Sequence, residues 1–333
     1  MAVSLKNSTK CSGYPRSFKP PGSRVGRYLS YLQIILAAFK RELRLRSLPS
    51  PRISLAGALF LTANLGAQSA SPAPPLKLSA YRLVFADEFN TLDLGTADGR
   101  PSAKPHKWYE GVWFSHRHAP LDRFKVDNSA LSLQWRRGQQ QPDSSISTFS
   151  RNSPDYHAWR YGYFEARMKW TPLKGAWPAF WLIPVPPPGQ RMPYESGEID
   201  IFEGQGSEPH AFFGTIHRWR GSQELASSSA NNRFSVPSNT DFASYHTYGL
   251  LWVPGGITWY FDGVPLHSEP TYEIFDKQDY FMILGMQEGS NWKSGDLTGV
   301  AAQTLTLTID WVRVWQSKQL ESKVDESPEA LIY

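Results

Sequence analysis

Beyond residue 80 the chain is written in a two-residue rhythm. In YFEARMKW (163–170), Phe164, Ala166 and Met168 fall on one face of an extended chain, and Glu165, Arg167 and Lys169 on the other. That alternation predicts a strand with one face on a core. LSLQWRR (131–137), WPAFWLI (177–183) and QTLTLTIDWVRVW (303–315) predict further strands. ITWYF and VPLHS flank Asp262-Gly263, a pair suited to the tight primed turn of a hairpin. No stretch past residue 80 keeps a helical period for the length of an ordinary helix, and there is no internal repeat. Many short strands joined by Gly/Pro turns predict an all-β sandwich or barrel.

One segment breaks the rhythm. EIDIFE (198–203) puts three carboxylates into an otherwise apolar strand. Acids rarely occupy inward positions unless they do chemistry, because a carboxylate is costly to desolvate. Period two puts Glu198 and Asp200 on one face and sends Glu203 to the other. One extra residue, taken up as a β-bulge around Ile201 and Phe202, brings Glu203 back beside them, with Ile199 and one bulge residue facing the core. Three neighbouring carboxylates repel, so at least one is expected to hold its proton near neutral pH. Glycoside hydrolysis uses that state: one ionised carboxylate as nucleophile or base, one protonated carboxyl as general acid. On a concave sheet the two Glu tips would converge to the ~5–5.5 Å of a retaining mechanism.

The flanking segments narrow the reading. GAWPAFWLIP (175–184), SGEIDIFE (196–203), GTIHRW (214–219), HTYGLLWVPGGITWYFDG (246–263), the closing IDWVRVW (309–315) and the opening LVFADEFN (83–90) together resemble glycoside hydrolase family 16, in that family's order, over about 230 residues. The resemblance implies a jelly-roll β-sandwich of two antiparallel sheets with a concave substrate cleft. It also implies a retaining mechanism in which Glu198 matches the nucleophile, Asp200 the assisting acid and Glu203 the acid/base. The two-residue spacer Ile201–Phe202 resembles the bulged, laminarinase-like branch, which also includes galactan hydrolases. RMPYE (191–195), the Gly285 and Glu288 of ILGMQEGSNW (283–292), and WFSHRHAP (113–120) depart from laminarinase-like sequences. These departures fall where sugar subsites are expected. Family members often carry a structural calcium, and Asp310 matches the place of its last-strand ligand. No other cofactor is expected.

Charge and composition divide the chain. Residues 1–52 carry eleven Lys/Arg and one acid, for a net of +10, and the rest of the chain has a net of −5. The overall +5 therefore belongs to the leader and is no argument for nucleic-acid binding. The basic stretch is followed by the apolar run ISLAGALFLTANLGA (53–67) and small residues, so that about 45–70 reads as a signal peptide. The run is short for a membrane span. We expect a secreted, periplasmic or cell-surface protein without a membrane span in its mature domain, a monomer whose partner is a polysaccharide, and a true start further into the chain. The expected organisation is a leader (1–70), a Pro-rich linker (71–80), a catalytic domain (81–316) and a charged tail (317–333). Cys11, the only cysteine, lies in the leader, which leaves the domain no disulfide and no thiolate-bound metal.

All thirteen Trp residues follow position 107. Pyranose C–H faces stack on aromatic rings, so the Trp residues of a cleft are candidate sugar platforms. Trp177 and Trp181 share a strand face, and Trp177 is the leading candidate. Trp113, Trp219 and Trp292 stand in polar, loop-like contexts and are weaker candidates. Trp252, Trp259, Trp311 and Trp315 read as core. His217, near a cleft histidine of the family, is expected to bond the acid/base or a sugar hydroxyl; His116 and His118 rank lower. No HExxH, GxSxG, Walker or GxGxxG pattern is present. The function expected is endo-hydrolysis of a β-1,3 or mixed β-1,3/1,4 glucan. A galactan hydrolase, a transglycosylase or a non-catalytic glycan-binding sandwich stand as alternatives.

Overall fold

The computed structural model describes residues 76–319 except 97–104, 113, 115–117, 138–142, 152, 154, 188–193, 229–231 and 290–302. All of them belong to one compact unit, Ser69–Tyr333. The leader, the first half of the linker and nearly all of the charged tail lie outside the described residues. Among the described residues, no helix is long and apolar enough to cross a membrane.

The alternating segments form strands. In chain order these are β1 (Tyr81–Asp87), β2 (Leu94–Thr96), β3 (Trp108–Glu110), β4 (Phe124–Asp127), β5 (Ala130–Arg136), β6 (Ser144–Ser147), β7 (Gly162–Trp170), β8 (Ala176–Pro184) and β9 (Glu195–Gly204). There follow β10 (Ala211–Arg220), β11 (Gln223–Ser227), β12 (Arg233–Ser235), β13 (His246–Val253), β14 (Gly256–Phe261), β15 (Val264–Pro270), β16 (Tyr280–Glu288) and β17 (Thr304–Ser317). An eight-stranded sheet runs β15-β14-β13-β7-β17-β5-β4, with β1 on β17. A nine-stranded sheet runs β11-β10-β9-β8-β16-β6-β3-β2, with β12 on β10. Neighbours distant in sequence, such as β8 beside β16, give the jelly-roll sandwich expected.

The alternation in β7 plays out as read. Phe164, Ala166 and Met168 are fully buried, and they meet Phe180, Leu182, Ile199, Phe202 and Met282 in the core cluster. At the β14–β15 hairpin, Asp262 and Gly263 take φ of 47° and 75°, the two positive values a primed turn requires.

Two expectations need correcting. The sheets are not wholly antiparallel, because β2 pairs β3 in parallel register. Of the four Trp residues read as core, only Trp252 and Trp259 are fully buried. Trp311 and Trp315 are half-buried. Arg313 lies over the Trp311 ring at 4.2 Å, and Trp315 packs on Tyr163 at 5.6 Å. A register slip between Ile309 and Trp311 reverses the alternation, so that Val312 and Val314 take the buried positions and both Trp residues turn to the outer face.

Candidate active site

The acids stand on β9, in the middle of the nine-stranded sheet. Against β8, Trp181 pairs Asp200, Phe180 pairs Phe202 and Ala179 pairs Glu203, which leaves Ile201 as the extra residue. Against β10, Asp200 pairs Thr215 and Glu203 pairs Phe213, so Ile201 and Phe202 together face Gly214. Two residues opposite one is a β-bulge, and it restores Glu203 to the face of Glu198 and Asp200. Ile201 and Phe202 both enter the core cluster, where one was expected.

The three acids line a cleft of about 480 Å³, together with Trp177, Ala179, Trp181, Gly111, Val112, Phe114, Asp143, Ser145, Gly285, Met286 and Gln287. Its floor on β8, β16 and β6 is built of Ala179, Gly285 and Ser145, which pair in register and leave a low trough. Trp177 donates its indole N–H to Glu203 Oε1 at 2.9 Å. Trp181 faces Phe114 edge-on at 6.3 Å, and Phe114 is half-exposed. With the Gln287 amide turned so that its nitrogen faces Asp143, it donates to both carboxylate oxygens at 3.0 and 3.2 Å.

The bulge is held from behind. Trp259 on β14, fully buried, reaches from the other sheet and donates its indole N–H to the Asp200 carbonyl at 2.9 Å. Gly214, opposite the bulge, turns its N–H to the Asn232 carbonyl at 3.1 Å instead of to β9.

Electrostatics centre on one histidine. His217 Nε2 lies 3.1 Å from Asp200 Oδ2, and its Nδ1 lies 2.6 Å from Glu224 Oε1. Burial alone would lower its pKa. The hydrogen bond and charge of Asp200, the charge of Glu198 and the Glu224 hydrogen bond prevail and raise it to about 9. The imidazole is therefore a cation at neutral pH. This departs from the role expected: both ring nitrogens of His217 are engaged by carboxylates, and neither faces Glu203. Burial pushes the Glu198 carboxyl well above the ordinary carboxylate range. The charges of Asp200 and Glu203 add to the rise, while His217 and the Trp219 indole N–H oppose it. Three carboxyls around one cation retain a proton near neutral pH, shared among interacting groups.

The other candidates are placed as follows. Trp219 stacks on His217 with ring centroids 5.5 Å apart, and its indole N–H also favours the ionised form of Glu198. Trp113, Trp292 and His116 lie outside the described residues. His118 Nδ1 lies 2.6 Å from Glu110 Oε2, and the buried Glu110 accepts the Ala119 N–H at 2.7 Å with its other oxygen. This pair ties down the segment that brings Gly111, Val112 and Phe114 to the cleft. Sequence reasoning missed Asp143, Gln287 and Glu224. Asp143 just precedes the short β6, Gln287 stands at the half-buried end of β16 and Glu224 lies on the exposed β11, so no apolar alternation marks their faces.

Metal sites were tested against the donors present. The ligating atoms of Glu198, Asp200 and His217 lie within 4.8 Å of one another. His217 already gives both ring nitrogens to Asp200 and Glu224, so the trio as it stands is a hydrogen-bonded network. Calcium takes six to eight oxygen ligands. Asp310, its expected ligand, is instead ion-paired to Arg167, whose guanidinium lies over Tyr245 with the Lys169 ammonium on the same ring. Asp310 in these surroundings does not fit a calcium ligand.

A β-sandwich whose open sheet face carries acids and aromatic rings in one cleft has the form of an O-glycosyl hydrolase. The comparisons agree. The family model described as Glycosyl hydrolases family 16 matches residues 119–313. A beta-glucanase of Rhodothermus marinus is 26% identical over 270 residues, covering 72% of this chain and 87% of that protein. An endo-1,3-1,4-beta-glycanase of Rhizobium meliloti is 27% identical over 268 residues, covering 72% of this chain and 53% of that protein; the chain thus spans about half of that relative's length. The laminarinase catalytic domain of Thermotoga maritima superposes with a TM-score of 0.54 at 21% identity, covering 71% of this chain and 98% of that one, a likeness of fold alone. The chain belongs to the glycosyl hydrolases family 16.

Proposed function

We propose that this protein is a retaining endo-glycosidase that cleaves β-linked glucan, β-1,3 or mixed β-1,3/1,4. One observation carries the reading: the bulge at Ile201–Phe202 gathers Glu198, Asp200 and Glu203 onto one cleft wall beside Trp177 and Trp181. With the proton shared among the acids resting on Glu203, the Glu198 carboxylate attacks the anomeric carbon and forms a glycosyl-enzyme ester, while Glu203 gives that proton to the departing glycosidic oxygen. Glu203, now a carboxylate, removes a proton from water, which attacks the same carbon and frees Glu198. Asp200, held by His217 Nε2 at 3.1 Å, stays fixed beside the pair. The glucan assignment is supported by the names of the relatives reported above. The enzyme works outside the cytoplasm, a reading supported by the signal-like run at 53–67.

The test is product analysis on laminarin, lichenan, agarose and carrageenan, with the anomeric configuration of the first product followed by proton NMR. Oligosaccharides with retained β configuration from laminarin or lichenan are expected. Products of inverted configuration would refute the two-step mechanism, and cleavage of only the galactans would refute the glucan assignment.

Trp177 supplies a narrower check. Trp177→Phe keeps a ring in the cleft but removes the donor to Glu203 Oε1. We expect kcat/KM to fall about 10-fold to 100-fold, mostly in kcat, because a charge-assisted hydrogen bond to a working carboxyl is lost. A change confined to KM would show that the indole serves only to stack sugar.

A further inference from the structure

Glu224 stands on β11, at the edge of the sheet, and faces His217 because of a second irregularity. Between β10 and β11 the register slips: Arg218 pairs Ala226, but Trp219 pairs Glu224, with Leu225 as the extra residue. Without the slip Leu225 would oppose Trp219, and Glu224 would turn to the other face. With it, Glu224 sits on the face of His217 and closes a chain of three strands: Glu224 Oε1 to His217 Nδ1 at 2.6 Å, then His217 Nε2 to Asp200 Oδ2 at 3.1 Å. Trp219 covers the imidazole face at 5.5 Å and an interplanar angle of 27°. The ring is thus fixed at both nitrogens and on one face.

We propose that Glu224 is a positioning residue for the acids of the cleft: by holding the His217 ring between two carboxylates, it fixes the orientation of Asp200. The inference rests on the reading of Glu198 and Glu203 as the reacting pair. The groups facing the ring are Asp200 and Glu198 from β9 and Glu224 from β11. Arg218, the neighbouring charge on β10, is paired to Glu195 at 3.0 Å. Glu224 is itself partly exposed, so its influence works through the short hydrogen bond more than through a buried charge.

Glu224→Gln separates charge from shape. The amide can donate to Nδ1 of a neutral imidazole whose Nε2–H still reaches Asp200, so the geometry survives while the cation loses a stabilising partner. Below its pKa the ring stays charged in either protein. With that pKa lowered, the cation is lost at lower pH, and the alkaline side of the rate profile should follow. The His217 ring is titrated by NMR in the whole protein, and kcat/KM on laminarin is followed with pH, in wild type, Glu224→Gln and Glu224→Asp. We expect the His217 midpoint to fall by about one unit in Glu224→Gln, with a loss of kcat/KM of about threefold near pH 8.5, smaller near pH 6 and carried by kcat. Glu224→Asp should restore most of both. An unchanged midpoint, or an equal loss at every pH, would overturn the proposal. Glu198→Gln serves as the control: activity in that variant would refute the reading of the acids, whereas the NMR midpoint judges Glu224 by itself.

Discussion

Glu198→Gln is expected to lower turnover by about 10⁴-fold or more while leaving the fold and glycan affinity in place. The substitution is nearly isosteric, but an amide cannot form the glycosyl ester. Glu198 is half-buried on the cleft wall, and its loss as a charge need not cost stability. Burial and the neighbouring Asp200 charge already disfavour the ionised form of Glu198, and His217 and Trp219 offset this only in part. A neutral amide removes one of three repelling carboxyls, so the melting temperature should hold or rise. The measurement pairs reducing-end release from laminarin with a thermal scan and a binding isotherm. Turnover within tenfold of wild type would sink the nucleophile assignment. Loss of activity together with a lower melting temperature and lost binding would mean that the residue had been structural.

That contrast bears on what the sequence could tell. The trio was legible because the spacing alone raises the question: Glu198 and Asp200 are two apart, Asp200 and Glu203 three apart, and only a bulge reconciles them. The face of β7 and the turn at Asp262-Gly263 were legible because period and φ requirements are local. The bonds of buried polar atoms were not. Alternation says that Trp259 is inside; it does not say that its N–H crosses the sandwich to the Asp200 carbonyl. Glu224 was invisible because the slip at Leu225 falls on an edge strand with little apolar pattern to betray a missing step. Asp310 was read by resemblance as a calcium ligand, but its partner Arg167 lies 143 residues away in sequence. Pairings of that kind are set by sheet order, which short-range pattern does not encode.

A large structural effect is expected at Gly214, where the bulge and its support meet. A Cβ added there would lie 2.3 Å from Trp259 Nε1, 2.7 Å from its Cδ1 and 2.8 Å from Phe234 Cε2. The conflict is steric, and the indole has nowhere to retreat, being fully buried with its N–H committed to Asp200. Gly214→Ala should therefore combine overpacking, about 1–3 kcal/mol, with displacement of a buried hydrogen bond, about 1–3 kcal/mol. In a domain of this size that lowers the melting temperature by about 10 °C. Activity should fall as well, because the Asp200 carbonyl loses the contact that sets the bulge. Trp259→Phe keeps most of the bulk but removes the nitrogen that collides. The expected result for the double variant is thus a cost smaller than the sum of the two singles, by about 1 kcal/mol or more. Strict additivity in that cycle would show that Gly214 and Trp259 act independently, and that the prop beneath the acids lies elsewhere in the core.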